Sequence, residues 1–235
     1  VNDKGVVLKA VNLGWGIMDV NEILGGLTGL AVQAGNDANV AALGEMWRGG
    51  GQGFQNMVLV TLGTGVGGGV ILGGRILTGA TGAAGEIGHI HIEDKEADTC
   101  GCGNHGCLEQ YASATGIVRL TKRRLDADNK DSVLRQGEVS AKTVFDAVKA
   151  GDEVACEIAE QFGQYLGKGL AAIAAVVNPE AFVIGGGVSK AGDILCQYIT
   201  KYYEKYAFHG CKNAQFKLAT LGNDAGIYGA AKLVL

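Results

Sequence analysis

The chain has 235 residues, of which 47% are apolar and 19% are charged, so a sizeable core can form and intrinsic disorder is excluded. Its net charge of −4 disfavours a nucleic-acid partner, because phosphate backbones require a dense basic surface. The longest apolar run spans residues 170–177, whereas about 20 residues are needed to cross a bilayer, so the sequence predicts a cytoplasmic protein without a membrane partner.

The first quarter of the chain predicts an extended segment followed by two helices. Apolar spacing predicts the extended segment over residues 6–13 and the first helix over residues 20–30. Either Asn36 or Asp37 is a good N-cap for the second helix, because a side-chain oxygen can accept the free N–H groups of its first turn. The Gly-rich residues 49–53 follow this helix and predict a boundary between two lobes.

The rest of the chain alternates strand and helix patterns, which predicts an α/β fold. The first two predicted strands are joined closely enough to form a hairpin. The predicted strands span residues 57–62, 66–72, 75–77, 181–184 and 216–220. The predicted helices span residues 111–125, 141–149, 152–178, 191–206 and 224–235.

Glycines cluster at two places where a nucleotide could bind. Gly63, Gly65 and Gly68 match the spacing of the dinucleotide fingerprint, but that fingerprint requires a following helix, and here the glycines join two strands. The backbone N–H groups of such a hairpin, with the Thr61 and Thr64 hydroxyls, could hold phosphate oxygens, although close packing alone could also explain the glycines. The second cluster, residues 185–187, follows a strand, and its bare backbone can approach a flat ligand.

Three of the six cysteines, Cys100, Cys102 and Cys107, lie within eight residues of one another. A disulfide between Cys100 and Cys102 would be strained, whereas the intervening glycines allow the loop to fold around an ion. The pattern predicts a structural zinc site with three Cys ligands and one His ligand, and the alternative is a flexible loop of reduced thiols. The chain offers four histidines as the fourth ligand: His89, His91, His105 and His209.

Five acidic residues are candidates for a catalytic base or a substrate ligand: Asp37, Glu45, Glu86, Glu109 and Asp224. Asp37 and Asp224 occupy similar motifs at predicted helix starts, where capping alone could explain either, so the pattern does not choose between them. Glu86 and Glu109 flank the cysteine loop, and an ion in that loop would hold their carboxylates near one another, as a polyol site requires. The basic residues of 119–124 have helical spacing and indicate a solvated face.

Taken together and in this order, the motifs resemble the ROK family (repressors, open reading frames and sugar kinases), and most of all its bacterial glucokinases, over essentially the whole chain. The motifs are Gly35-Asn-Asp-Ala-Asn39, Leu62-Gly-Thr-Gly-Val-Gly-Gly-Gly69, Glu86-Ile-Gly-His89 and Cys100-Gly-Cys-Gly-Asn-His-Gly-Cys-Leu-Glu109. The resemblance implies an actin-like, ribonuclease-H-like, two-lobed α/β ATPase fold with the active site in the cleft. It implies a remnant of the N-terminal lobe over residues 1–48, the C-terminal lobe with zinc loop 89–107 over residues 49–222, and a closing helix over residues 223–235.

The resemblance also implies ATP-dependent phosphorylation of glucose at its 6-hydroxyl, with Mg²⁺, a structural Zn²⁺ and a homodimeric assembly. It assigns Asp37 as the base that takes the proton of the 6-hydroxyl. The implied sugar ligands are Asn36, Asp37, Glu86, His89 and Glu109. The implied zinc ligands are His89, Cys100, Cys102 and Cys107. The implied ATP contacts are Gly63, Thr64, Gly65 and Gly67 for the phosphates and Gly185, Gly186 and Gly187 for the adenosine.

One motif of the family, Asp-x-Gly-Gly-Thr, does not occur in these residues, which also lack an initial Met. The resemblance implies that this motif is the family's first phosphate-binding segment, and phosphoryl transfer depends on positioning and charge stabilisation. We therefore expect the parent protein to be a kinase and these 235 residues alone to be inactive or nearly so. Two alternatives stay open for the parent protein: a kinase for another hexose, such as N-acetylmannosamine or fructose, and a sugar-sensing repressor of the same family. A third, for these residues alone, is a zinc-binding interaction module without catalysis.

Overall fold

The computed structural model describes residues 1–2, 4–8 and 14–235, and within those ranges it contains seven strands and eight helices. The strands are β1 (Val6–Val7), β2 (Met18–Asp19), β3 (Met57–Leu62), β4 (Val66–Leu72), β5 (Arg75–Ile76), β6 (Ala181–Gly185) and β7 (Gln215–Leu218). The helices are α1 (Val20–Thr28), α2 (Asp37–Arg48), α3 (Glu109–Ala112), α4 (Ala114–Ala127), α5 (Ala141–Lys149), α6 (Glu153–Val177), α7 (Asp193–Tyr206) and α8 (Ala225–Leu233). The α/β prediction is confirmed, whereas the extended segment predicted over residues 6–13 lies partly outside the described residues.

Five strands form a mixed sheet in the order β5-β4-β3-β6-β7. The predicted hairpin is confirmed, because β3 pairs antiparallel with β4, while β3 and β6 pair in parallel and so do β6 and β7. Strands β3 and β6 are almost wholly apolar because helices cover both faces of the sheet. The carboxyl ends of β3, β6 and β7 therefore meet at one edge, which is where open α/β sheets bind ligands.

Helices pack on both faces of this sheet. The larger core lies on one face, where the 25-residue α6 packs with α4, α5 and α7. This helix ends at Asn178, whose left-handed φ of 44° precedes Pro179. On the other face, α2 packs against β3, β4 and α8. None of the helices in the described ranges has the length and apolarity that crossing a membrane requires.

The Gly-rich residues 49–53 form a packed turn and not an open linker. Gly51 is buried, and a Cβ atom on it would lie 2.5 Å from the Met57 sulfur. A Cβ atom on Gly50 would clash with the backbone oxygen of Leu218. The turn thus needs glycine for close approach to the sheet, and the lobe boundary expected here stays a prediction.

Two basic residues of α4 form ion pairs with a buried carboxylate and do not only face solvent. Arg119 Nη2 lies 2.8 Å from Glu96 Oε2, and Arg123 Nη2 lies 2.9 Å from Glu96 Oε1. The Glu96 side chain is only 1% exposed and also accepts a hydrogen bond from the Tyr111 hydroxyl. These contacts hold the part of the zinc loop that precedes Cys100 against α4.

We expect the Glu96 contacts to make the free energy of unfolding depend on pH. Hydrogen bonds from Arg123, and then from Tyr111, lower the pKa of Glu96 from 4.5 to about 2. A depressed folded-state pKa stabilises the protein above the ordinary pKa, and that stabilisation is lost as the pH falls from 4.5 towards 2. Glu96→Gln should therefore lower the free energy of unfolding by about 3 kcal/mol at neutral pH, and the difference should fade in acid.

Urea unfolding of Glu96→Gln and the wild type, followed across this pH range, measures the effect. Glu153→Gln is the matched control, because its side chain is 78% exposed in its pair with Lys130, and exposed pairs contribute little. A pH-independent difference between Glu96→Gln and the wild type would contradict the linkage.

Candidate active site

The amino end of α2 presents the predicted base. Asn36 is the N-cap, and its Oδ1 accepts the N–H groups of Ala38 at 3.0 Å and Asn39 at 3.2 Å. Asp37 is the first helical residue and is exposed. Its Oδ1 accepts the Ala38 N–H at 2.9 Å, and its Oδ2 has no hydrogen-bond partner among the described residues. Asn36 thus fixes the helix start, and Asp37 keeps a carboxylate oxygen available to solvent.

The glycines of β4 allow two other segments to approach the hairpin from opposite sides. A Cβ atom on Gly69 would lie 2.6 Å from the Ala42 Cβ and 2.7 Å from the Ala38 oxygen, both in α2. A Cβ atom on Gly68 would lie 2.6 Å from Ile87, in the short 3-10 turn Ile87–His89. Close packing therefore explains these two glycines. It also places the predicted base and the motif that begins at Glu86 around one hairpin.

The tip of the hairpin keeps free donors. The Gly63 oxygen accepts the Ala114 N–H at 2.8 Å, and the Thr64 oxygen accepts the Thr115 hydroxyl at 2.8 Å. Residues at the start of α4 therefore donate hydrogen bonds to both carbonyl oxygens. The N–H groups of Thr64 and Gly65 donate to no group within the described part of the chain. Two successive free amides at a turn can bind an anion.

Glu109 connects this tip to the cysteine loop. Its Oε2 accepts the Val66 N–H at 3.0 Å, and its Oε1 lies 3.9 Å from Cys100 Sγ. A Cβ atom on Gly65 would clash with the same carboxylate. The predicted sugar ligand therefore also braces the hairpin. Glu86, the other predicted carboxylate ligand, is exposed at the N-cap of the turn Ile87–His89.

The structure brings four predicted metal ligands together. One donor atom from each lies within 4.8 Å of the others; the four residues are His89, Cys100, Cys102 and Cys107. Cys102 Sγ lies 3.6 Å from Cys107 Sγ, and Cys100 Sγ lies 3.8 Å from His89 Nδ1. Tetrahedral zinc with Zn–S bonds of about 2.3 Å requires sulfur atoms about 3.8 Å apart, so the donor set fits zinc.

His91, another candidate for the fourth ligand, has both ring nitrogens in other contacts. Its Nδ1 lies 2.9 Å from the His105 oxygen, and its Nε2 lies 2.8 Å from Asp94 Oδ1. Gly103 has a φ of 92°, and a backbone bridge pairs His91 with Cys107.

A cavity of about 430 Å³ lies at the carboxyl ends of β3 and β6. It is bordered by Thr61, by Gly185–Gly187 and by residues of the 219–223 segment. Gly186 has a φ of 83°, and a Cβ atom on it would lie 2.5 Å from the Leu62 oxygen, so glycine lets the turn cross the end of β3. The predicted phosphate contacts of the hairpin do not line this cavity but adjoin it, because Thr61 contacts Gly67 across β3 and β4.

Several residues of this cavity were not predicted. Ser189 and Lys190 border it, and their position just after a Gly-rich turn at a strand end was the available signal. Thr220 and Asn223 border it after β7, the next parallel strand. The rule that ligands bind at the carboxyl ends of parallel strands would have found them.

Comparisons with known proteins agree on one family. The model of the ROK family matches residues 1–235. A glucokinase of Halalkalibacterium halodurans is 47% identical over 99% of this chain and 72% of its own length, and one of Streptomyces coelicolor is 38% identical over 98% and 75%. The crystal structure of a ROK family glucokinase from Streptomyces griseus in complex with glucose and AMPPNP is 38% identical. It superposes with a TM-score of 0.83 over 99% of this chain and 78% of that chain.

Proposed function

Because this chain belongs to the ROK family and has the actin-like ATPase fold of its sugar kinases, we propose ATP-dependent phosphorylation of glucose at the 6-hydroxyl as the activity of the parent protein expected above. Glucokinases that are 38–47% identical over nearly the whole chain support this activity over the two alternatives, another hexose kinase or a repressor. The observation that carries the proposal is that the α2 start and the cysteine cluster both lie against the Gly-rich hairpin, through Gly69 and through Glu109. The hairpin in turn adjoins the cavity of about 430 Å³ through the Thr61–Gly67 pair.

In this proposal Asp37 acts as the general base. Its exposed carboxylate takes the proton of the 6-hydroxyl while that oxygen attacks the terminal phosphorus of ATP, and the bond from this phosphorus to the bridging oxygen breaks as ADP leaves. Asn36 uses its Oδ1 to cap α2, so its amide NH₂ is the group that can donate to a sugar oxygen. Glu86, His89 and Glu109 hold further sugar hydroxyls.

The hairpin is the proposed phosphate site. The free N–H groups of Thr64 and Gly65 can donate to phosphate oxygens, and Gly63 and Gly67 keep the backbone beside them open. The adenosine lies in the cavity along Gly185, Gly186 and Gly187. Mg²⁺ enters with ATP as part of the substrate and neutralises charge on the phosphates.

We assign the cysteine cluster a structural zinc ion. His89, Cys100, Cys102 and Cys107 would hold the ion, and four such ligands are the set of a closed structural site. The ion would therefore stabilise the loop and would take no part in proton transfer. Homodimer formation and a cytoplasmic location stay predictions, as does the division of the chain at residue 48.

The sugar specificity can be tested directly. Purified full-length protein is incubated with ATP and with glucose, fructose, N-acetylmannosamine or N-acetylglucosamine, and ADP release is followed alongside the mass of the sugar product. We expect the highest kcat/KM with glucose. A higher kcat/KM for another sugar would support the hexose alternative, whereas sugar-dependent DNA binding without phosphoryl transfer would support the repressor.

A further inference from the structure

Glu45 is a buried acid that the proposed mechanism does not use. It lies in α2, eight residues after Asp37, and is 1% exposed. Its Oε2 accepts the N–H groups of Gly50 at 2.8 Å and Thr220 at 3.1 Å, and its Oε1 accepts the N–H of Leu221 at 2.9 Å. Two of these donors are 175 and 176 residues distant in the sequence.

Packing alone does not account for a carboxylate at this place. Burying a charge costs free energy unless hydrogen bonds replace its water, and three backbone donors to a charged acceptor provide that replacement. A glutamine of the same shape cannot do the same, because its NH₂ group would face an N–H donor. The position therefore requires an acceptor at both oxygens.

The segment that Glu45 holds forms one wall of the cavity. Thr220 borders the cavity together with Glu45 itself and with Gly185. The same segment is fixed to the sheet at a second point, where the Ala219 N–H donates to the Ile184 oxygen at 2.9 Å. Glu45 is thus the contact that fixes this wall to α2, while the Ala219 bond fixes it to β6.

We propose that Glu45 is a positioning residue for the nucleotide. Helix α2 carries Asp37 at its start and Glu45 about 12 Å further along, so one rigid element sets the base and the nucleotide wall relative to each other. This inference rests on the proposed function, in which the cavity holds the adenosine of ATP.

The test is the Glu45→Gln variant of the full-length protein, with ATP varied at saturating glucose and glucose varied at saturating ATP. We expect the KM for ATP to rise about tenfold, as for the loss of one hydrogen bond to a charged group, while the KM for glucose stays unchanged. Glu180→Gln is the matched control. Glu180 also accepts two backbone N–H groups, from Gln55 and Asn56, but at the opposite edge of the sheet.

Hydrogen exchange adds a measurement that does not depend on turnover. In Glu45→Gln, the amides of Thr220 and Leu221 should exchange faster than in the wild type, and Glu180→Gln should leave them unchanged. In the wild type, AMPPNP should slow exchange over residues 219–223, which requires no variant to fold.

The outcomes separate the two proposals. An unchanged KM for ATP in an active Glu45→Gln protein, equal changes in both KM values, or no effect of AMPPNP on residues 219–223 would overturn the positioning role. A wild type that binds AMPPNP at this wall but phosphorylates no sugar would instead overturn the proposed function and leave the wall assignment supported.

Discussion

Asp37→Asn is expected to lower kcat for glucose phosphorylation by about 10²–10⁴-fold, the contribution of a general base. Asparagine retains the oxygen that accepts the Ala38 N–H, so the start of α2 should stay intact. The variant loses only the ability to take a proton, and we therefore expect glucose affinity to change less than about threefold, within the range of one weak hydrogen bond. Steady-state rates and calorimetric glucose titration on the full-length protein measure the two effects separately.

Asp224→Asn is the matched control for this result. Asp224 stands at the start of α8 in a motif similar to that of Asp37, and its side chain makes no capping hydrogen bond. We expect this variant to turn over glucose at close to the wild-type rate. If Asp224→Asn loses activity and Asp37→Asn retains it, the base is Asp224, and the role implied by the resemblance is wrong.

The sequence predicted those features whose causes are local. The N-cap of α2, predicted as Asn36 or Asp37, the hairpin of β3 and β4, and the cysteine cluster each depend on residues close together in the sequence. The choice of His89 as the fourth ligand required the resemblance. The structure adds the reason: His91 is occupied by Asp94 and by the His105 oxygen.

The features that sequence reasoning left unassigned depend on distant backbone groups. Glu45 stood out as an acidic residue, but its partners are backbone N–H groups of Thr220 and Leu221, which carry no residue-specific signal. The reason for glycine at positions 68 and 69 was likewise not predictable, because only the fold shows that Ile87 and α2 lie in close contact with them. Hydrogen bonding to backbone and close approach of elements are tertiary properties, and a single sequence does not encode them as motifs.

Removing the metal is expected to weaken glucose binding, because the proposed sugar ligands are attached to the cluster. His89 is a member of the cluster, and Glu109 lies 3.9 Å from Cys100 Sγ while it also braces Val66. Loss of an outer-shell partner of a metal site alone typically costs about 10–100-fold in metal affinity or activity, so Cys107→Ser, which removes a ligand itself, should lose zinc. Because two sugar ligands belong to or adjoin the cluster, we expect glucose affinity to fall with the zinc content. Elemental analysis for zinc and calorimetric glucose titration measure the two losses.

The loop itself should lose order in the same variant. Two of its thiols, those of Cys100 and Cys107, are buried, and structural zinc sites contribute folding free energy, so residues 89–107 should exchange amide hydrogens faster without the ion. Cys156→Ser removes a thiol outside the cluster and should change neither zinc content nor exchange in this loop. A zinc-free Cys107→Ser protein that stays folded and binds glucose as tightly as the wild type would show that the Gly-rich hairpin and α3 hold the sugar ligands without the metal. In that case the contact between Glu109 and Val66, and not the metal, would be what fixes the sugar site.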